Sequence, residues 1–411
     1  MKRFLLVVAI ALAAIVPAIV FRITGWRAQP VLDVVVFGTA VLAAGFMLSW
    51  GAEAAERRIS QGLILAGVAL ITVLPEYAVD FYYAFQAGRD PQSAYVGYAA
   101  ANMTGANRLL VGLAWPLMVL LHWWRSRERA IVMGAAITVE IGFLLLASLY
   151  AFVIVLKNCI TLFDFAALAA IFFAYLWRVS RTSEADSEEA EEEEPGPAAA
   201  LGQLSPAAQW ATMAALVVVA GAVILISAEP FAEAIVASGR SFGIDEFLLI
   251  QWLAPLASEA PAITIAILFV LSGRAATGMT TMISDKINQW TLLVGMLPLA
   301  MSAGAQQVMA LPLNARQHEE FFLTAAQSLF GISLLIGLRF SLWRGLILAA
   351  LFMAQVLIAF ADRNDAVRTI SALTALGWIY LGLAGALFSY HLPSLWKGGA
   401  LGFFSGVALK K

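Results

Sequence analysis

The chain has 411 residues, of which 62% are hydrophobic and only 13% are charged, and its formal net charge is −2. This composition excludes a soluble globular protein of this length, and the small net charge gives no indication of nucleic-acid binding. One cysteine and three scattered histidines exclude a disulfide framework, a cysteine-based metal site and a pair of histidine ligands on one helix. The sequence therefore predicts a protein that crosses the lipid bilayer many times.

Twelve apolar runs are long enough to cross roughly 30 Å of hydrocarbon, which takes about 20 helical residues. The first run follows Lys2 and Arg3 and also fits a cleaved signal peptide. It continues beyond the usual length of such a segment, so we interpret it as a helix. The predicted spans lie at about 4–22, 31–51, 62–86, 94–121, 130–156, 160–178, 207–236, 245–271, 277–302, 319–339, 341–361 and 367–390.

An acidic segment at 182–206 divides the chain into two halves. Its run of glutamates is followed by proline, glycine and alanine, a composition that predicts a disordered linker. A regulatory tail that collects cations is the alternative. Placing the N-terminus inside the cell gathers most of the loop arginines and lysines on the cytoplasmic side. The sequence therefore predicts a multi-pass protein of the cell (inner or plasma) membrane with both termini in the cytoplasm.

Each half contains five predicted helices of a repeated unit. An odd number of crossings makes the second unit enter the membrane from the opposite face, so the units are inverted repeats. The predicted fold is an all-α polytopic membrane protein with two inverted five-helix repeats and one extra helix at each end. The predicted divisions are 1–30 (extra N-terminal transmembrane helix), 31–181 (first repeat, with a signature segment at about 62–121), 182–206 (acidic cytoplasmic linker), 207–361 (second repeat, with a signature segment at about 245–302) and 362–411 (extra C-terminal helix and tail).

The second and third helices of each unit share polar residues at equal spacing. Glu76 and Glu259 lie in the two second helices, and 26 residues after them come Asn102 and Asp285. The sequence Leu-Leu-Val-Gly begins 33 residues after each glutamate. Such paired segments are expected of a transporter built from internal repeats, whose functional helices meet near the middle of the membrane.

Carboxylates inside the bilayer cost about 2.5–3.5 kcal/mol each, so acids at matched positions indicate function. Prolines beside the two glutamates free backbone carbonyls, and oxygen ligands suit a hard cation such as Ca²⁺, which takes about six to eight of them. Clustered acids also hold protons when no cation is bound. We therefore predict no catalytic residue and no cofactor. The predicted ligands of a transported inorganic cation are Glu76, Glu259, Asp285, Asn102 and Thr72.

Asp80 is a further candidate for the ion or proton pathway. It lies one helical turn after Glu76 on the same face. It would act as a proton acceptor or as a second ligand; pairing with Arg89 or Arg108 is the alternative.

Polar residues near Asp285 are also pathway candidates. The ammonium of Lys286 either neutralises the aspartate or occupies a cation position itself. Alternatively, because Lys286 is about 100° further round the helix, it faces Glu140 or a neighbouring helix. Asn288 and Gln289 continue the polar edge, where they line the pathway or pack between helices.

The segment Ile71–Glu76, which reads Ile-Thr-Val-Leu-Pro-Glu, and Asn102 resemble the first signature repeat of the cation/calcium exchanger superfamily, roughly Gly-Thr-Ser-x-Pro-Glu and then Gly-Ser-Asn. Pro255–Glu259 and Ser284–Lys286 resemble the second repeat. The superfamily includes sodium/calcium and proton/calcium exchangers. The resemblance implies ten core helices in two inverted halves, with a metal site that combines a glutamate from each repeat with Asn or Asp from the next helix.

The departures from this pattern concern hydroxyl ligands. Val73 stands where the first repeat of the family has serine, and Pro255 and Leu256 stand where the second has Thr-Ser, which weakens sodium coupling. The resemblance implies an antiporter that exchanges a hard cation, Ca²⁺ first, for H⁺ or Na⁺ by alternating access. One alternative is a transporter of the same fold whose substrate Lys286 has changed to a monovalent cation or an organic solute. The other is a non-transporting membrane protein or an intramembrane enzyme.

Overall fold

The computed structural model describes residues 1–26, 29–56, 74–181, 197–243 and 245–398. Nine helices within these ranges are long and apolar enough to cross a membrane. The α-helices are α1 (Lys2–Thr24), α2 (Pro30–Glu56), α3 (Leu74–Arg89), α4 (Tyr95–Leu109), α5 (Trp115–Ser126), α6 (Thr138–Lys157), α7 (Leu162–Val179), α8 (Pro206–Phe242), α9 (Glu246–Ser272), α10 (Ala275–Asn288), α11 (Val294–Ala305), α12 (Ala315–Leu335), α13 (Leu342–Ala361) and α14 (Ala366–Gly398).

The helices follow the predicted order of twelve spans. A π-helical turn at Leu110–Ala114 makes α4 and α5 one continuous rod, and Gln289–Leu293 does the same for α10 and α11. The fold prediction of an all-α polytopic protein with two inverted five-helix repeats and two extra helices is confirmed. The beginning of the predicted span at 62–86 lies outside the described residues.

Two predicted spans are wrong at one end. The span at 130–156 begins as a strand, β1 (Ala130–Val132), and a 3₁₀ turn before α6, and the span at 319–339 ends in another strand, β4 (Arg339–Ser341). These strands pair with each other in antiparallel register. A short apolar run reads alike as helix or strand in the sequence, and only the distant partner decides.

The prediction of a disordered linker at 182–206 is wrong for its last part. Pro197–Gln203 forms a 3₁₀ helix that packs against α1 and α2, and the side chain of Leu201 is buried there. Ser205 then accepts a hydrogen bond from the amide of Ala208 and caps α8. The rest of the segment, 182–196, lies outside the described residues.

Two small sheets tie the repeats together at opposite ends of the bundle. The first sheet pairs β1, before the fourth helix of the first repeat, with β4, after the fourth helix of the second. The second sheet pairs β2 (Cys159–Ile160), after the fourth helix of the first repeat, with β3 (Leu311–Pro312), before the fourth helix of the second. This exchange of partners is what a pseudo-two-fold axis between inverted repeats produces.

Helices from the two repeats pack in pairs across the centre: α2 on α8, α3 on α11 and α4 on α9. Glycine allows the closest approach. A Cβ atom at Gly105 of α4 would lie 1.9 Å from the carbonyl oxygen of Gln251 in α9, and one at Gly88 of α3 would lie 1.9 Å from that of Met301 in α11. These contacts hold helices of the two signature segments face to face. Outside the core, α1 packs on α2 and α14 packs on α12.

Candidate cation site

The predicted site residues lie in the middle of this crossing. Glu76 stands in the first turn of α3 and Glu259 in the middle of α9, and both side chains are almost completely buried. Asp285, on α10, is partly buried. These three acids and Asp80 are close enough for the charges of the other acids to act on Glu76. The fold therefore brings carboxylates from both repeats to one interface.

In the first repeat, Asn102 contacts Asp80. Its Nδ2 atom donates a hydrogen bond of 2.8 Å to Asp80 Oδ1, so the expected alternative pairing of Asp80 with an arginine is wrong. Three buried oxygens, Glu76 Oε2, Asp80 Oδ2 and Asn102 Oδ1, have no hydrogen-bond partner in the described part of the chain. Unpartnered buried oxygens are costly unless something else satisfies them.

In the second repeat, an amide covers the glutamate. Gln289 Nε2 donates a hydrogen bond to Glu259 Oε1. Two further buried oxygens here, Asp285 Oδ2 and Gln289 Oε1, have no partner among the residues described. Gln289 lies four residues after Asp285 and so on the same helix face; the sequence leaves it open between pathway and packing, and the structure puts it in contact with Glu259.

Lys286 is fully buried, and its ammonium contacts α4. The Nζ atom donates to Asn107 Oδ1 at 2.7 Å and to the Asn107 carbonyl at 3.2 Å, and it lies 4.5 Å from the ring centre of Trp290. Of the predicted orientations, the structure has the one towards a neighbouring helix. Its charge still acts on Glu259.

The remaining predicted residues have separate places. Asn288 Oδ1 accepts a hydrogen bond of 2.7 Å from the hydroxyl of Tyr77, which joins α3 to α10. Thr72 lies outside the described residues. The carbonyl of Gln251, four residues before Pro255, lies against Gly105 of α4.

The acids do not form a ready-made metal cluster. Across the described ranges, no three His, Cys, Asp or Glu side chains are close enough together to hold one metal ion. A Ca²⁺ ion takes about six to eight oxygens. Besides the carboxylates, the amide oxygens of Asn102 and Gln289, one in each repeat, have no partner among the described residues.

A second buried polar cluster lies nearby and was not predicted. Arg108 of α4 forms an ion pair with Glu320 of α12, and Gln251 Nε2 donates to Glu320 Oε2 at 2.6 Å. Arg108 therefore does not pair with the site acids. Ionisable residues inside apolar runs are the sequence signal for such a cluster, but the sequence alone does not indicate which of these residues pair with each other.

Comparisons with known proteins agree with this architecture. The model of the family described as sodium/calcium exchanger protein matches residues 30–181 and 212–361. A comparison with curated protein sequences gives no match. The crystal structure of an H⁺/Ca²⁺ exchanger, CAX, is 36% identical, with a TM-score of 0.88 and coverage of 96% of this chain and 96% of that chain.

More distant structures share the fold. Native YfkE is 14% identical, with a TM-score of 0.60, and 86% of this chain and 98% of that one are covered. The sodium-calcium exchanger NCX_Mj, soaked with 100 mM Na⁺ and 10 mM Sr²⁺, is 16% identical, with a TM-score of 0.54 and coverage of 81% and 99%. Because the family model covers both repeats, the chain belongs to the sodium/calcium exchanger protein family.

Proposed function

We propose that this protein is a secondary antiporter that exchanges Ca²⁺ for H⁺ across the cell membrane by alternating access. The observation that carries the proposal is that acids from both repeats are close enough for their charges to act on Glu76, while several of their buried oxygens have no partner among the described residues. We assign a single Ca²⁺ to Glu76 and Glu259 together, with Asp285, Asn102 and Thr72 as further ligands.

A hard divalent cation fits this set of ligands. The side chains at the interface offer carboxylate and amide oxygens, and these are the donors that Ca²⁺ prefers over softer metals. The ammonium of Lys286 bonds to Asn107 on α4, so it does not occupy the place between the glutamates. This position favours Ca²⁺ over the alternative of a substrate changed by the lysine.

Protons are the proposed counter-ion for two reasons. The similar structure at 36% identity is that of an H⁺/Ca²⁺ exchanger. In addition, the segment of α9 before Glu259 offers few hydroxyl ligands for sodium, because Pro255 and Leu256 stand where the repeat that it resembles has Thr-Ser. When Ca²⁺ leaves, protons neutralise the mutually repelling carboxylates, and this shared use of Glu76 and Glu259 couples the two fluxes.

The long pair of α2 and α8 is the proposed moving element. Each helix is the first of its repeat, and they pack on each other and against the helices that carry the two glutamates, α3 and α9. Sliding of this pair would open the site to one face and then to the other. By the positive-inside rule, we place both termini in the cytoplasm.

Uptake of ⁴⁵Ca²⁺ into proteoliposomes tests the proposal. The vesicles hold an outward-directed proton gradient or, separately, a sodium gradient, and Glu259→Gln is compared with wild type. The matched control is Glu229→Gln, at an exposed glutamate paired with Arg22. We expect uptake with the proton gradient, loss in Glu259→Gln and retention in the control. Uptake with the sodium gradient alone would reject the counter-ion, and no uptake with either gradient would reject Ca²⁺ antiport.

A further inference from the structure

The buried cluster between α4, α9 and α12 carries an unbalanced charge. Arg108 and Glu320 form an ion pair whose side chains are 1% and 3% exposed, and Gln251 supports Glu320 with a hydrogen bond. The guanidinium of Arg108 also lies 5.2 Å from the ring centre of Trp252. These contacts use the single arginine for Glu320, which leaves the neighbouring acid, Glu319, without an equal counter-charge.

Glu319 is the least satisfied acid in this cluster. Its side chain is 1% exposed, and neither carboxylate oxygen has a hydrogen-bond partner within the described residues. A buried carboxylate without hydrogen-bond donors is unstable as an anion. Binding a proton removes the charge and so the instability. Loading one proton onto this carboxylate makes the cluster neutral, and releasing it restores one negative charge.

The other charged groups around Glu319 are already engaged. Besides Glu320 and Arg108, the charge of Arg316 acts on it, and Arg316 Nη1 donates to Asp245 Oδ2 at 2.6 Å. Of the helices that pack on α12, α6 ends at Lys157, which is bonded to Asp164 of α7, and α14 carries Tyr380, whose hydroxyl has no partner among the described residues. His318, the residue before Glu319, contacts the side chain of Asn158 through Nδ1.

An open cavity lies beside the first turn of α12, one helical turn before Glu319. It has a volume of about 570 Å³ and lies where α4, α9 and α12 begin, at the end of the bundle opposite to the predicted cytoplasmic side. Asp245, Arg316 and Gln317 line it. Arg316, which lines the cavity, is one helical turn before Glu319 on the same side of α12, and its charge acts on that acid, so the cavity ends about one turn from Glu319.

Two helices, α4 and α9, carry residues of both this cluster and the cation site. Gln251 lies eight residues before Glu259 on α9, a rise of about 12 Å, and Arg108 follows Asn107, which binds the Lys286 ammonium on α4. A change of charge at Glu319 therefore acts on residues of α4 and α9, the helices that carry Asn102 and Glu259.

We propose that Glu319 is a proton-binding residue distinct from the cation site, loaded from the cavity between α4, α9 and α12 and coupled to Glu259 through Glu320, Arg108 and Gln251. The inference rests on the proposed exchange of Ca²⁺ for H⁺. In this proposal the proton enters at Glu319, whereas the metal binds to other residues. Exchange of one Ca²⁺ for another therefore does not need Glu319.

Two transport modes in proteoliposomes test this separation. Exchange of external ⁴⁵Ca²⁺ for internal unlabelled Ca²⁺ needs the metal site but no net proton flux, whereas uptake with an outward proton gradient needs both. The variants are Glu319→Gln, which mimics the protonated acid, and Glu319→Asp, which keeps a titratable carboxyl. Ser333→Ala, a buried hydroxyl that bonds to the backbone of the same helix, is the control.

We expect Glu319→Gln to keep Ca²⁺/Ca²⁺ exchange, while its proton-driven uptake falls about tenfold or more and depends less on pH than that of wild type. Glu319→Asp should retain proton-driven uptake, and Ser333→Ala should resemble wild type in both modes. A wild-type rate and pH profile in Glu319→Gln would overturn the inference. Equal loss of both modes in Glu319→Gln would also overturn it. Failure of wild type to use a proton gradient would instead reject the proposed function.

Discussion

The two copies of the signature segment bring the same carboxylate to the interface but surround it differently. In the first copy, the amide of Asn102 binds Asp80 and leaves an oxygen of Glu76 open. In the second copy, Gln289 covers Glu259, and a lysine lies nearby. The matching positions hold Ile263 in place of Asp80 and Met103 in place of Lys286. Inverted repetition therefore fixes where the glutamates stand, while the unmatched residues set the charge of each half.

The largest expected effect is the loss of either glutamate. Glu76→Gln and Glu259→Gln should each reduce ⁴⁵Ca²⁺ uptake to that of protein-free liposomes, because one ion needs the charge of both copies. We expect the same loss of uptake for both variants, although the two acids have different neighbours. Retention of more than about half of the transport in either variant would mean that the copies do not contribute equally.

A second large effect concerns the contact that holds the copies together. Gly105→Ala places a methyl group 1.9 Å from the Gln251 carbonyl, and overpacking of this kind costs about 1–3 kcal/mol or more. We expect a lower yield of monodisperse protein in size-exclusion chromatography and a lower Tm. Gly382→Ala, where nothing lies within 4 Å of the added methyl, is the control. An unchanged Tm for Gly105→Ala would show that α4 and α9 separate easily.

A smaller effect tests the unmatched lysine of the second copy. Lys286→Met removes a positive charge that acts on Glu259, so the Kd for Ca²⁺ in isothermal titration calorimetry should fall severalfold. The variant should also be less stable by about 1–3 kcal/mol, because Asn107 Oδ1 loses its donor. Lys286→Arg keeps the charge and should leave the Kd nearly unchanged. Equal Kd values for Lys286→Met and wild type would place the ammonium outside the electrostatics of the site.

The smallest effect is expected at the hydrogen bond between the copies. Tyr77→Phe removes the 2.7 Å bond to Asn288, which is worth about 1 kcal/mol and corresponds to roughly 2 °C in Tm. Transport should remain above half of the wild-type rate. A loss as complete as that in the glutamate variants would give Tyr77 a direct part in ion binding.

The sequence predicts most of the helices and their repetition, but it does not predict which distant residues contact each other. The equal spacing of Glu76–Asn102 and Glu259–Asp285 predicts two repeated units, and the odd number of crossings in each unit predicts that they are inverted and meet at the carboxylates. The strand Ala130–Val132 was predicted as helix, because its partner lies about 200 residues away and a short apolar run does not distinguish the two. Likewise, the sequence indicates that Arg108 needs a counter-charge but not that α12 supplies it.

The most direct test of the shared site is a titration of the purified protein with Ca²⁺ by isothermal titration calorimetry. Wild type, Glu76→Gln, Glu259→Gln and the control Glu229→Gln are compared under one set of conditions. Our account predicts one ion per chain for wild type and the control, and no measurable binding for either of the other two variants. Binding of Ca²⁺ with a wild-type Kd by either single variant would contradict a site that both repeats build together.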